Sequence, residues 1–426
     1  MKIISSTVLL LFSVFPLRRR RRCRPWLSLL CTSICFGASS TPELQRLYKN
    51  HEWFKLMATV HEGGAPLFFR GAVDCALAKT ELCIQEMSEV IKAEKGGDDE
   101  YEAHSILAGL YLRSGEYARS LAETQLMLKI RPNDSDAQSS IAFMKAASMF
   151  PDQKVISGAA AHVPWVYPGK SLIIPLKING KRASYLIDTG ANVSTLSDAD
   201  AQRLGLQVQQ ATVRVNGSSG AVASFKVAYA KQVSIGNFEV ENVIFLVFPA
   251  NQPPFDDKAP FEQGIVGLPL LIAAKHVRWN KNGFDIVTDG TEKGSGTPNL
   301  AMDEGFTIAN ATFQSHSLSF LIDSGSIWSY MYPRFAHDYM SYVKAHGTRT
   351  SKMLQGFGGR ANVAAWRLAK LPVEIDGTTD NLHQIAALLA YTDQNSHNYD
   401  GCLGLDTMLN RDMVDLNFER MQIVIR

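Results

Sequence analysis

Two short segments hold the residue types needed for acid–base chemistry. Asp188-Thr189-Gly190-Ala191 and Asp323-Ser324-Gly325-Ser326 lie 135 residues apart, and each closes an apolar run, Leu186-Ile187 or Leu321-Ile322. Two carboxylates brought close together cannot both ionise easily, so they share a proton. One then acts as a base toward a water and the other as an acid toward a carbonyl oxygen, and the pair titrates as a unit. Gly190 and Gly325 are expected to let the backbone turn tightly beside each carboxylate. Thr189 and Ser324 are expected to hydrogen-bond across to the opposite loop and lock the pair. One such tripeptide is a weak signal, and the second copy is what makes it informative.

The duplication extends beyond these loops. Gly264-Ile265-Val266-Gly267-Leu268 is matched by Gly401-Cys402-Leu403-Gly404-Leu405, and Val277, Asn280, Ile286 and Val287 by Val414, Asn417, Ile423 and Val424, all at an offset of 137. Such a repeat spans most of residues 171–426 and predicts two similar lobes. Leu172 to Ile178 reads as a strand, Asn179-Gly180 as a hairpin turn in which both residues tolerate positive φ, and Ala183 to Ile187 as the return strand. The segment at 288–297, rich in glycine and threonine, reads as the connection between lobes. His276, His316 and His383 are scattered and read as structural or solvated. Ser194 and Ser326 have no histidine placed to make either a nucleophile. The matching places after the two glycines differ: Ser326 offers a hydroxyl to Asp323 and Ala191 offers none to Asp188. This predicts an asymmetric pair, ionised on the Asp323 side, with an optimum on the order of pH 4–6.

These motifs resemble those of the aspartic peptidases, and the two lobes resemble retropepsins joined in one chain, most nearly the bacterial retropepsin-like group. Thr195-Leu196-Ser197 before a helix ending at Leu204-Gly205-Leu206 is typical of that group. The resemblance implies that Asp188 and Asp323 are catalytic, with Thr189, Gly190, Ala191, Ser324, Gly325 and Ser326 supporting the catalytic loops. It implies that Ile265-Val266-Gly267 and Cys402-Leu403-Gly404 pack beneath those loops. It places mobile flaps at Gly217-Ser218-Ser219-Gly220 and Gly356-Phe357-Gly358-Gly359, where glycine-rich tips suit a lid. The chain departs from pepsins in its short lobes and in Ala191. The implied function is aspartic endopeptidase activity on a peptide or protein substrate, from one active site within a monomer, with no cofactor. The alternative is a secreted, non-catalytic peptide-binding adaptor, which loss of an aspartate would have favoured; neither is lost.

The rest of the 426-residue chain must position or deliver this pair. A length above that of one typical domain and 46% hydrophobic residues allow several cores, and a net charge of only +2 gives no case for nucleic acid as a partner. Residues 1–40 hold basic residues, two short apolar runs and a small-residue stretch, the order of a signal peptide or signal anchor. Export to a periplasmic or secreted location follows, with membrane attachment if the segment is uncleaved. Residues 42–150 carry helical spacing, with Leu107, Ala108 and Tyr111 on one face, a turn at Ser114-Gly115-Glu116, and a second helix stopped by Pro132. This pair resembles a degenerate tetratricopeptide repeat, which implies a docking surface for a protein partner; a spacer that packs on the enzyme reads equally well. The change of period at 154–169 suggests that the helices are separable from catalysis. Cys75 and Cys83 either pair across a helical hairpin or remain buried thiols. No cysteine and histidine spacing suggests a metal site.

The predicted fold is thus α+β: an N-terminal helical, tetratricopeptide-like region (42–150), then an all-β acid-protease fold of two similar barrel-like lobes, 155–290 and 298–426.

Overall fold

The computed structural model describes residues 10–11, 41–93, 95–217, 222–252, 254–259, 262–288, 296–356, 359–392 and 395–426. Almost all of the expected signal segment, most of the 288–297 connection, and the flap-tip residues Ser218, Ser219, Gly220, Phe357 and Gly358 lie outside the described residues.

Seven helices form the first region among the described residues: α1 (Thr41–Lys49), α2 (Trp53–His61), α3 (Leu67–Ala76), α4 (Thr80–Ala93), α5 (Asp98–Arg113), α6 (Tyr117–Ile130) and α7 (Ser135–Ala147). Local chemistry sets their ends. Asp98, Asp99 and Glu100 occupy the first turn of α5 and Arg113 the last, each sign opposite to the helix-end partial charge. Gly115, at φ +75°, makes the turn into α6. Leu107, Ala108 and Tyr111 are all buried, as their spacing predicts. Cys75 on α3 and Cys83 on α4 form a disulfide. Among the described residues no helix is long and apolar enough to cross a membrane.

The two lobes that follow are closed rings of strands with one plan. In the first, Ile173–Ile178, Lys181–Ile187, Gly264–Val266, Thr195–Ser197, Phe238–Phe248 and Val222–Ile235 pair in that order, and Lys177 opposite Ser234 closes the ring. In the second, Phe306–Phe313, His316–Ile322, Gly401–Leu403, Tyr330–Met331, Thr378–Leu388 and Gly359–Ile375 do the same, closed at Thr312 and Glu374. Alternation drives this packing: along Lys181–Ile187, Ala183, Tyr185 and Ile187 face inward and are buried. Asn179 and Gly180 turn the first hairpin at φ +49° and +78°, as the sequence requires. Outside each ring a long hairpin arm adds a strand, Gln207–Gly217 in the first lobe and Gly347–Gly356 in the second.

The lobes share a five-stranded sheet in the order Gln422–Ile425, Val414–Asn417, His276–Asn280, Gly283–Ile286, Ala161–Pro164. Its centre is the antiparallel pair of duplicated strands, with Val277 opposite Leu416 and Arg278 opposite Asp415. His276 meets Asp415 at 2.8 Å and Arg278 meets it at 2.7 Å. His276 is therefore structural, tying the lobes together.

The helices pack closely on the lobes, as a spacer that packs on the enzyme would. One apolar cluster runs from Phe143, Met144 and Ala147 of α7 through Phe150 to Ala191, Val193 and Ile265 of the first lobe. Phe150 stacks on Tyr229 with ring centroids 4.6 Å apart, and α7 packs against the hairpin arm Gln207–Gly217. The chain then joins the lobe as a strand, Lys154–Gly158, antiparallel to Phe238–Phe248. At the other lobe, His51 meets Asp303 at 2.7 Å and Arg334 donates to the Asn50 carbonyl at 3.1 Å. The helical region thus bridges both lobes.

Candidate active site

Each candidate carboxylate is delivered by the second strand of its ring and held by a short strand beside it. Gly264–Val266 runs parallel to Lys181–Ile187, and the Asp188 N–H donates to the Val266 carbonyl at 3.0 Å. Gly401–Leu403 runs parallel to His316–Ile322, and the Asp323 N–H donates to the Leu403 carbonyl at 3.0 Å. The glycines that follow fix the loops further. The Gly267 N–H donates to Ser194 Oγ at 3.1 Å and the Gly404 N–H to Ser329 Oγ at 2.9 Å. The apolar-apolar-glycine elements therefore do lie beneath the loops. Ser194 and Ser329, neither near a histidine base, are scaffold hydroxyls.

The loops meet face to face and exchange hydrogen bonds symmetrically. Thr189 Oγ1 accepts from the Ser324 N–H at 3.0 Å and donates to the Ile322 carbonyl at 2.9 Å. Ser324 Oγ accepts from the Thr189 N–H at 3.1 Å and donates to the Ile187 carbonyl at 2.8 Å. All eight donor and acceptor roles are filled inside a region without solvent access, where an unpaired polar group would be costly. The backbone must come this close because a Cβ at Gly190 would sit 2.6 Å from Asp323 Oδ1, and one at Gly325 would sit 2.3 Å from Asp188 Oδ2. Each glycine makes room for the carboxylate of the opposite lobe.

Asp188 and Asp323 are both fully buried. Burial pushes the Asp188 carboxyl well above its ordinary range, and the neighbouring Asp323 charge pushes it the same way. Burial also raises Asp323, but its Oδ1 accepts from the Gly325 and Ser326 N–H groups, both at 3.0 Å, which hold its ionised form. Asp188 Oδ1 accepts from the Gly190 N–H at 2.8 Å. The donor expected from sequence at Ser326 is present but has a different origin. The Ser326 hydroxyl donates to the Trp328 carbonyl at 3.0 Å and not to Asp323; it is the Ser326 backbone that reaches the carboxylate. The Ala191 N–H bonds instead to the Asp188 backbone carbonyl, so Ala191 adds no donor to its aspartate.

Two features escaped the sequence reading. Cys402 is a buried free thiol whose Sγ lies 4.0 Å from Asp323 Oδ2. The one signal for it is its place in the apolar-apolar-glycine element, which fits any small apolar residue. Trp328, five residues past Asp323, is 49% exposed, and the Lys352 ammonium of the second hairpin arm lies 5.9 Å from its ring. That arm therefore passes beside the segment that follows Asp323. Of the flap residues named from sequence, Gly217 ends one arm and Gly356 and Gly359 pair across the other.

Residues 174–270 match the aspartyl protease family. Among solved structures, the chain is similar to a retropepsin-like aspartic protease from Rickettsia conorii at 20% identity, over 32% of this chain and 92% of that chain, with a TM-score of 0.23. No curated protein matches the chain.

Proposed function

We propose that this chain, residues 174–270 of which match the aspartyl protease family, is an endopeptidase that hydrolyses peptide bonds with water activated between Asp188 and Asp323. The observation that carries the proposal is the mutual burial of the two carboxylates on loops locked by the Thr189 and Ser324 hydroxyls. Their proximity and desolvation favour the state with one proton between them. In that state the ionised carboxylate takes a proton from water as its oxygen attacks the scissile carbonyl carbon. The protonated partner hydrogen-bonds the carbonyl oxygen and gives it the proton, forming a neutral tetrahedral diol. The carboxyl that took the water proton then gives it to the departing nitrogen while the other carboxylate takes a proton from a diol hydroxyl; the C–N bond breaks, the C=O of the acid product forms, and the pair again holds one proton. The pair, not either residue, owns the titration.

Both aspartates belong to one chain, so the active site is complete in a monomer. The two hairpin arms act as lids, and the exposed Trp328 ring beneath the second arm supplies apolar surface for a substrate side chain. The Cys75–Cys83 disulfide supports an exported protein, because such bonds persist in oxidising compartments. The helical region serves first as a brace across the two lobes.

The test is incubation of the purified chain with a mixed peptide library at several pH values, with and without pepstatin. Internal cleavage that pepstatin suppresses is the expected result. Intact peptides at every pH, with binding retained, would instead support the non-catalytic adaptor.

A further inference from the structure

A cavity of about 780 Å³ lies between the α1–α2 turn, α5 and the second lobe, away from the catalytic pair. Arg113, in the last turn of α5, lines it and is only 9% exposed. Its guanidinium donates to the Cys75 carbonyl at 3.2 Å, and no carboxylate pairs with it among the described residues. Burial alone pulls its pKa down to about 10. A buried guanidinium with one backbone acceptor is costly unless an anion completes it. Of the other basic residues of this wall, His51 meets Asp303 at 2.7 Å and Arg334 meets Asp400 at 3.3 Å, whereas Lys49 and His397 are exposed, so Arg113 is the buried cation left without an acid among the described residues.

We propose that this cavity binds the carboxylate of a peptide, with Arg113 as the guanidinium that receives it. A planar guanidinium accepts a carboxylate in two parallel hydrogen bonds. A monoanion suits the site better than a dianionic phosphate, because Glu52, Glu102, Asp303, Glu304 and Asp338 line the same cavity and would repel a higher charge. Trp53, Ile106 and Met302 add apolar surface for the rest of the ligand. The cavity also borders the catalytic loop. Gly305 lines it at φ +89°, and a Cβ there would sit 3.7 Å from Cβ of Asn192, which follows Ala191. A peptide held here lies one side-chain layer from the loop that carries Asp188.

The site is distinct from the catalytic pair, and only the choice of a peptide as the carboxylate's carrier rests on the proteolytic reading. Binding is therefore measured without cleavage, on the full chain carrying Asp188→Asn, by calorimetry and by fluorescence of Trp53 in the cavity wall. Three hexapeptides of otherwise equal sequence serve as probes. One has a free C-terminus and no acidic side chain, one is C-amidated with a single Glu, and one is C-amidated with Gln in its place. At least one of the two carboxylate peptides should bind about tenfold or more tighter than the third, and which one does identifies the carboxylate recognised. Arg113→Gln should abolish that preference. Should Arg113→Gln fail to fold, Ile106→Trp, which fills the cavity from its half-buried wall, should abolish it instead. Equal binding of all three peptides, no binding of any, or a preference that survives in a folded variant would overturn the proposal.

Discussion

At the residue scale, the site depends on what is small as much as on what is charged. Alanine at Gly190 or Gly325 would place a methyl group within 2.6 Å or 2.3 Å of the opposing carboxylate. Either loop would have to withdraw, breaking the hydroxyl exchange of Thr189 and Ser324. Each substitution is expected to cost about 1–3 kcal/mol in urea unfolding and to remove most cleavage activity. An active, equally stable Gly325→Ala would show that the loops do not meet as described. The raised carboxyl pKa values give a second expectation. The pair retains protons in the fold at pH values where the two carboxyls of the unfolded chain, near the ordinary 3.8, have lost them. The fold then binds more protons than the unfolded chain, so the pair's contribution to stability falls as pH rises above 3.8. Asp188→Asn should therefore raise Tm at pH 7 more than at pH 3. The acid limb of kcat/KM should also lie above 3.8, and Ser326→Ala should leave it in place, since that hydroxyl faces Trp328. An acid limb displaced by Ser326→Ala would restore the hydroxyl to the titration.

At the scale of elements, the duplicated lobes were legible because each local signal has a backbone cause. Asn179-Gly180 must turn, alternation from Ala183 to Ile187 must bury one face, and the repeats at 265–267 and 402–404 must fill the same place under each loop. The matched positions of 277–287 and 414–424 marked a repeat, but the joining of their strands into one sheet across the lobes was not legible. That contact depends on His276, Arg278 and Asp415, whose partnership spans 137 or more residues. The helices were recognisable from their period, whereas the disulfide was one of two open readings, since spacing alone does not distinguish a bonded pair from buried thiols. The Ser326 error has the same root: a hydroxyl's type is written in the sequence, but its rotamer is set by the Trp328 carbonyl that the loop brings near.

At the scale of the whole molecule, the helices, the lobes and the shared sheet form one structure. A chain beginning at Val155 would strip Phe143, Met144 and Phe150 from the cluster that contains Ala191 and Val193, next to Asp188. It would also remove the His51–Asp303 contact at the second lobe. Such a chain is expected to lose several kcal/mol of stability and its activity, read by circular dichroism melts and a short-peptide assay. A truncated chain that melts and cuts like the full one would mean that the helices only rest on the enzyme. The central claim is that Asp188 and Asp323 act together on a peptide bond, and its most direct measurement is kcat/KM for parent, Asp188→Asn and Asp323→Asn on one library-derived peptide, with sedimentation confirming monomers. Each substitution should lower kcat/KM by about 10³-fold or more while the melting curve stays cooperative, because neither carboxylate works without the other. Substantial cleavage by either correctly folded variant would contradict the shared-proton pair.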